Sequence, residues 1–129
     1  MQNFIAYPGK KFTVEWYFDD RGNSDSKKYF EKLDALKREK IFYLFRLFGD
    51  MGKIKNREKF RYEGDQIYAF KASPNRFLCF FFDGRKIIIT SAYKKESAKM
   101  PSKEKKKALA VKADYEKRYK AGSYYGKKS

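Results

Sequence analysis

From Phe12 onward the chain alternates: Phe12, Val14, Trp16 and Phe18 are apolar, with Thr13, Glu15 and Tyr17 between them. A period of two predicts a half-buried first strand. Asp19-Asp20-Arg21-Gly22-Asn23 carries turn chemistry and ends it. The period then changes. Between Ser24 and Phe48 the residues Tyr29, Phe30, Leu33, Leu36, Ile41, Leu44, Phe45 and Phe48 recur at helical spacing, and Ser24 or Asp25 supplies an N-cap. The phase slips between Leu36 and Lys40. That slip predicts two helices in a hairpin, or one bent helix, joined at this charged stretch and ended by Gly49 and Gly52.

Lys53 to Gly64 reads as a basic loop. Ile67 to Lys71, Arg76 to Phe82 and Lys86 to Thr90 read as three consecutive strands, joined by the turn Ala72-Ser73-Pro74-Asn75 and by the two-residue hairpin signal Asp83-Gly84. Pro101 and Ser102 open a last helix reaching Tyr119, with Ala108, Val111, Tyr115 and Tyr119 on one face. Residues 121–129 are Gly/Ser/Lys-rich and read as a disordered basic tail. The expected architecture is one α+β domain over residues 1–120. An N-terminal strand and a helical hairpin pack on a small, mainly antiparallel sheet, and a basic helix follows.

Charge adds a function to this outline. Lys and Arg number 32 against 16 Asp and Glu, a formal net charge of +16 on 129 residues. Like charges repel in the compact state, so such a field favours a polyanionic partner over stability. From Lys94 to the C-terminus thirteen cations face only Glu96, Glu104, Asp114 and Glu116. Lys53, Lys55, Arg57, Lys59 and Arg61 in the basic loop, with Lys94, Lys99 and Lys103 near the last helix, are the candidate RNA-binding residues. Lysine-rich surfaces of this kind hold phosphates and read little sequence.

Other chemistries drop out. The chain has no histidine, so no imidazole serves as acid, base or metal ligand. Cys79 is the only cysteine and lies in an apolar run. No carboxylate cluster suggests a metal, and Gly49, Gly52 and Gly64 do not form a phosphate-cradling loop. No metal and no cofactor are therefore expected. No apolar run reaches the ~20 residues that span a bilayer, and Met1 to Lys11 lacks the apolar segment of a secretory signal. A cytoplasmic protein without membrane contact is expected.

The hairpin signals also allow a register. With Asp83-Gly84 as loop residues Phe82 faces Arg85, and counting back sets Arg76 opposite Ser91. With Ala72 to Asn75 as the other loop Lys71 faces Arg76. Lys71, Arg76 and Ser91 then share a row, with Tyr93 beyond it and Ile67, Leu78, Phe80, Ile87 and Ile89 below on the same face. Cations, a hydroxyl and a phenol gathered at one end of an apolar face suit RNA cleavage by the RNA's own 2′-hydroxyl. Arg76 can hold the phosphate bidentately, Lys71 can stabilise charge or act as base, and Tyr93 can stack on a base or assist proton transfer.

The element order resembles the RelE/HigB superfamily of type II toxins, most of all its phage-derived HigB-like branch. The segments that carry the resemblance are Gly64-Asp65-Gln66-Ile67-Tyr68-Ala69-Phe70-Lys71, Asn75-Arg76-Phe77-Leu78-Cys79-Phe80-Phe81-Phe82, Lys86-Ile87-Ile88-Ile89, and Tyr93-Lys94-Lys95-Glu96-Ser97-Ala98-Lys99-Met100-Pro101. The resemblance implies a RelE-like fold and a metal-independent endoribonuclease that cuts mRNA on the ribosome. It implies mRNA and ribosomal RNA as partners, together with a cognate antitoxin, often a helix-turn-helix protein. Arg76 and Tyr93 match the family's Arg and aromatic positions, and Lys94, Lys95 and Lys99 match its basic run. The strand register and the resemblance together give the candidate catalytic set Arg76, Lys71, Tyr93, Lys95 and Ser91. Lys71 stands where the family commonly has Arg, and Ser91 where the branch often has His. Two other readings are a non-catalytic inhibitor of a protein target such as gyrase, and an RNA- or ribosome-binding module without activity.

Overall fold

The structure, a computed structural model, describes residues 3–126. Its elements run β1 (Ile5–Pro8), β2 (Thr13–Trp16), α1 (Asp25–Lys32), α2 (Ala35–Met51), β3 (Phe60–Tyr62), β4 (Tyr68–Ala72), β5 (Asn75–Phe82), β6 (Lys86–Lys94) and α3 (Ser102–Lys120). One mixed six-stranded sheet has the order β1-β2-β6-β5-β4-β3, with β2 parallel to β6 and the other pairs antiparallel. This is the α+β, RelE-like architecture expected from the sequence.

Helices cover both faces of the sheet. On one side Ile41, Leu44, Phe45 and Phe48 of α2 pack on Val14, Trp16, Phe70, Phe77, Cys79, Ile87 and Ile89. On the other, Ala108 and Tyr115 of α3 pack on Ile67, Ala69, Leu78, Phe80 and Ile88. A strand buried on both faces has no polar side to alternate with, which is why Phe77 to Phe82 is an unbroken apolar run.

The helical hairpin breaks earlier than its periodicity suggests. Ser24 caps α1 by accepting from the Lys27 N–H at 3.2 Å, and α1 ends at Lys32. Asp34 then caps α2, its carboxylate accepting from the Lys37 N–H at 3.0 Å. Leu36 to Lys40 is therefore the first turn of α2, not the join. Gly49 lies inside α2, and Gly52 ends it with φ 81. Two short edge strands add to the sequence outline, β1 before the expected first strand and β3 inside the expected basic loop.

Gly49 stays bare because β1 and its turn press on it. Its carbonyl accepts from the N–H groups of Lys11 and Phe12 at 2.8 and 2.9 Å. A Cβ on Gly9 would lie 2.4 Å from both the carbonyl carbon and oxygen of Gly49. Gly9→Ala is expected to lower stability by about 1–3 kcal/mol, as overpacking against backbone does. A drop in the urea midpoint with an unchanged slope checks this.

The segment from Ala121, expected to be tail, turns back onto the sheet as far as it is described. Tyr124 is only 4% exposed, and its hydroxyl accepts from the Phe18 N–H at 2.9 Å. Tyr125 donates to Glu15 at 2.7 Å. Residues 127–129 of the expected tail lie outside the described residues. No helix among the described residues is long and apolar enough to cross a membrane.

Candidate RNA-cleaving site

Four neighbouring strands bring the site together. Lys71 on β4 pairs with Arg76 on β5, as the two-residue Ser73-Pro74 loop dictates. Arg76 in turn pairs with Tyr93 on β6, not with Ser91. Two single-residue slips produce the difference. At the Asp83-Gly84 hairpin both residues take left-handed angles, φ 57 and 66, but the ladder closes at Phe82↔Lys86 and leaves Arg85 in the loop. Farther on, Thr90 bulges between Cys79↔Ile89 and Leu78↔Ser91, and its hydroxyl donates to the Leu78 carbonyl at 3.2 Å.

Together the slips move the partner of Arg76 by two residues, which keeps the face and changes the residue. The single slip at the hairpin also exchanges Ile87 and Ile89 for Ile88 on the α3 side. Ser91 sits two positions below Tyr93, opposite Leu78, with 0% exposure and its hydroxyl 3.1 Å from that of Thr90. It is walled off from the cleft.

β3 completes the row. Arg61 pairs with Ala69, and the Glu63 N–H donates to the Ile67 carbonyl at 2.7 Å, so both project on the face that carries Lys71. The segment leading into α3 closes the top. The result is a cleft of about 150 Å³ lined by Arg61, Glu63, Lys71, Arg76, Tyr93, Lys95, Ala98, Lys99 and Met100. Sequence reasoning missed Glu63. Its signal was the alternation Phe60-Arg61-Tyr62-Glu63, a strand pattern hidden in a stretch read only for its charge.

Glu63 is held by the turn that follows it. Gly64, Asp65 and Gln66 all take positive φ, 92, 53 and 67, and two of them are not glycine. Such backbone persists only where its surroundings enforce it. Here Lys105 of α3 does so, donating to the Glu63 carbonyl at 3.0 Å and pairing with Asp65 at 2.8 Å.

Electrostatically the cleft is an anion trap. Arg61, Lys71, Arg76, Lys95 and Lys99 surround the one carboxylate of Glu63. Arg76 is 8% exposed, and the one hydrogen bond of its guanidinium among the described residues goes to the carbonyl of Asn75 at 3.2 Å. Among the described residues none of these five cations forms an ion pair. Burial lowers the Lys71 pKa below the ordinary lysine value, helped by Arg76 and Arg61, while Glu63 pulls the other way. Burial raises the Tyr93 pKa above that of an ordinary phenol, and Glu63 adds to the effect. A buried guanidinium with no ion-pair partner among the described residues, beside a lysine whose pKa is lowered by burial and by neighbouring cations, is a site prepared for an anion.

The remaining predicted contacts divide. Lys53, Lys55 and Lys59 line a second, larger groove beside α2, which Lys71 also borders. Arg57 is exposed, and its carbonyl accepts from the Lys71 ammonium at 3.2 Å. Lys94 and Lys103 are exposed outside both cavities.

The structure thus joins a RelE-like sheet to a cationic cleft at its end. The chain belongs to the phage-derived Gp49-like protein family (DUF891), which matches residues 28–112, well over half of its length and including every cleft residue. That family lies within the RelE/HigB-like toxin superfamily, and it suggests a toxin of a toxin–antitoxin pair with an antitoxin as partner. No curated protein matches the chain.

Proposed function

We propose that the protein is a metal-independent endoribonuclease toxin of the HigB-like type, cutting mRNA on the ribosome and neutralised by a cognate antitoxin. The buried Arg76, unpaired among the described residues, beside Lys71, Tyr93 and Glu63 carries the reading. Arg76 grips two non-bridging oxygens of the scissile phosphate. Lys71 donates to a backbone carbonyl and so acts as a proton carrier that stabilises the phosphorane, which leaves Glu63 as the base. Glu63 takes the proton of the 2′-hydroxyl, and the 2′-oxygen bonds to phosphorus. The bond from phosphorus to the 5′-oxygen breaks, and Tyr93 or Lys95 protonates the leaving oxygen. The products are a 2′,3′-cyclic phosphate and a 5′-hydroxyl. Arg61, Lys99 and the exposed Lys94 and Lys103 hold flanking phosphates of mRNA and ribosomal RNA.

The pH profile tests these roles. Glu63→Gln removes the proposed base and lowers kcat/KM roughly 100-fold or more. On the alkaline side Lys71 loses its proton below the ordinary lysine value, and activity falls with it. The raised Tyr93 titrates later than a free phenol. Lys71→Arg moves the alkaline fall to higher pH. Mass spectrometry of the product ends identifies the chemistry: ends carrying a 3′-hydroxyl and a 5′-phosphate would contradict the 2′-hydroxyl mechanism.

A further inference from the structure

A groove of about 780 Å³, several times the volume of the cleft, runs along α2 and is walled on the far side by the Lys53–Lys59 stretch and the end of β4. Residues Leu36, Tyr43, Leu47 and Met51 form its floor at spacings of seven, four and four along the helix, so they make one stripe. The adjoining stripe, Ile41, Leu44, Phe45 and Phe48, packs in the core, with Leu44 bordering the groove as well. Leu36 and Met51 are 62% and 60% exposed, which is unusual for large apolar side chains lying on one continuous face. Lys40, Lys53, Lys55, Lys59 and Lys71 form the rim against Glu39 alone, and none of these lysines forms an ion pair among the described residues.

We infer that this groove binds an amphipathic helix of a partner protein, apolar on one face and acidic on its flanks. From Leu36 to Met51 the stripe extends about 22 Å at 1.5 Å per residue, the length of a four-turn helix. The aliphatic floor fits leucine-type anchors. It suits RNA poorly, since bases stack on aromatic faces and Tyr43 is the one ring there. A second copy of the chain is an equally poor occupant: it carries a net charge of +16 and would bring like charges to the lysine rim. Lys71 lines the groove and the cleft alike. A helix seated in the groove therefore draws on the same cation that the cleft offers to phosphate, and filling one weakens the other. The docking does not depend on the proposed RNA cleavage, but this coupling does rest on the anion-binding cleft.

The test uses the full chain and two fluorescein-labelled 20-residue peptides of identical composition. In one, leucines follow i, i+3, i+4, i+7 spacing with glutamates between them; in the other the order is scrambled. Fluorescence anisotropy is expected to show at least tenfold tighter binding of the amphipathic peptide. The charge-neutral double variant Leu36→Gln/Met51→Gln loses that advantage, while Arg76→Ala retains it. The bound peptide also weakens capture of a labelled single-stranded RNA by the wild type. Equal binding of the two peptides, or binding indifferent to the double variant, overturns the inference in favour of plain charge attraction. It is also overturned if sedimentation shows a dimer that the double variant dissolves, or if the double variant loses RNA and not peptide. Failure of RNA cleavage alone leaves the peptide result standing.

Discussion

Arg76→Ala should abolish RNA cleavage while leaving the protein as stable as before or slightly more so. The guanidinium is the part of the cleft best placed to bind a phosphate bidentately, and removing one preorganised donor of that kind costs about 100- to 1,000-fold in rate. Arg76→Lys should recover little, because an ammonium keeps the charge and loses the planar fork. Stability should move the other way. Arg76 is buried at 8% exposure with no carboxylate paired to it among the described residues, and it is the largest charged contributor lowering the Lys71 pKa. Taking it away relieves that repulsion, the trade of stability for activity that binding sites commonly show. In Arg76→Ala the Lys71 pKa should rise back toward its ordinary value, readable by NMR of the labelled lysine ammonium. A variant that loses both cleavage and several degrees of melting temperature would make Arg76 structural.

Phe77→Ala should produce the largest loss of stability. Phe77 is the residue next to Arg76 on β5, but it points to the opposite side of the sheet with 0% exposure. Its ring contacts Trp16, Tyr29, Phe30 and Phe45, with centroids 5.6 to 6.5 Å apart. It therefore ties β2, α1 and α2 to the central hairpin at once. Truncating such a ring costs about 3–5 kcal/mol, a large share of the ~5–15 kcal/mol that holds a domain together. The urea midpoint should fall steeply, and Phe77→Leu, which retains most of the volume, should cost less than half as much. A change under about 1 kcal/mol would mean that the aromatic cluster repacks freely, against the behaviour of close-packed cores.

The two predictions lie on neighbouring residues because a strand sends alternate side chains to opposite faces, and this much the sequence displayed. Lys71 falls opposite Arg76 as expected, because the pair is the same whether the symmetric turn is counted as Ala72 to Asn75 or as Ser73-Pro74 closed by Ala72↔Asn75. Tyr93 took the place of Ser91 because register is an integer quantity: an extra residue in the Asp83-Gly84 hairpin and a bulge at Thr90 each added one. Neither leaves a composition signal, since Arg85 and Thr90 are ordinary strand residues. Glu63 escaped because a three-residue strand is too short to announce a period against a basic background. The join of the helical hairpin was misplaced because Asp34, a cap, outweighs the charged run that follows it. The groove beside α2 was invisible for another reason. Helical periodicity marks which residues are apolar, but it does not show that one stripe of α2 meets the sheet while the other faces solvent.

The account turns on one claim, that this cleft cuts translated message through the RNA's own 2′-hydroxyl. The direct measurement is to map message ends in a reconstituted translation reaction, with and without ribosomes, for the wild type and Arg76→Ala. The account predicts cuts only on ribosome-bound message, with 5′-hydroxyl ends, and none with Arg76→Ala. Intact message in the presence of ribosomes, or cuts that persist in the variant, would contradict it.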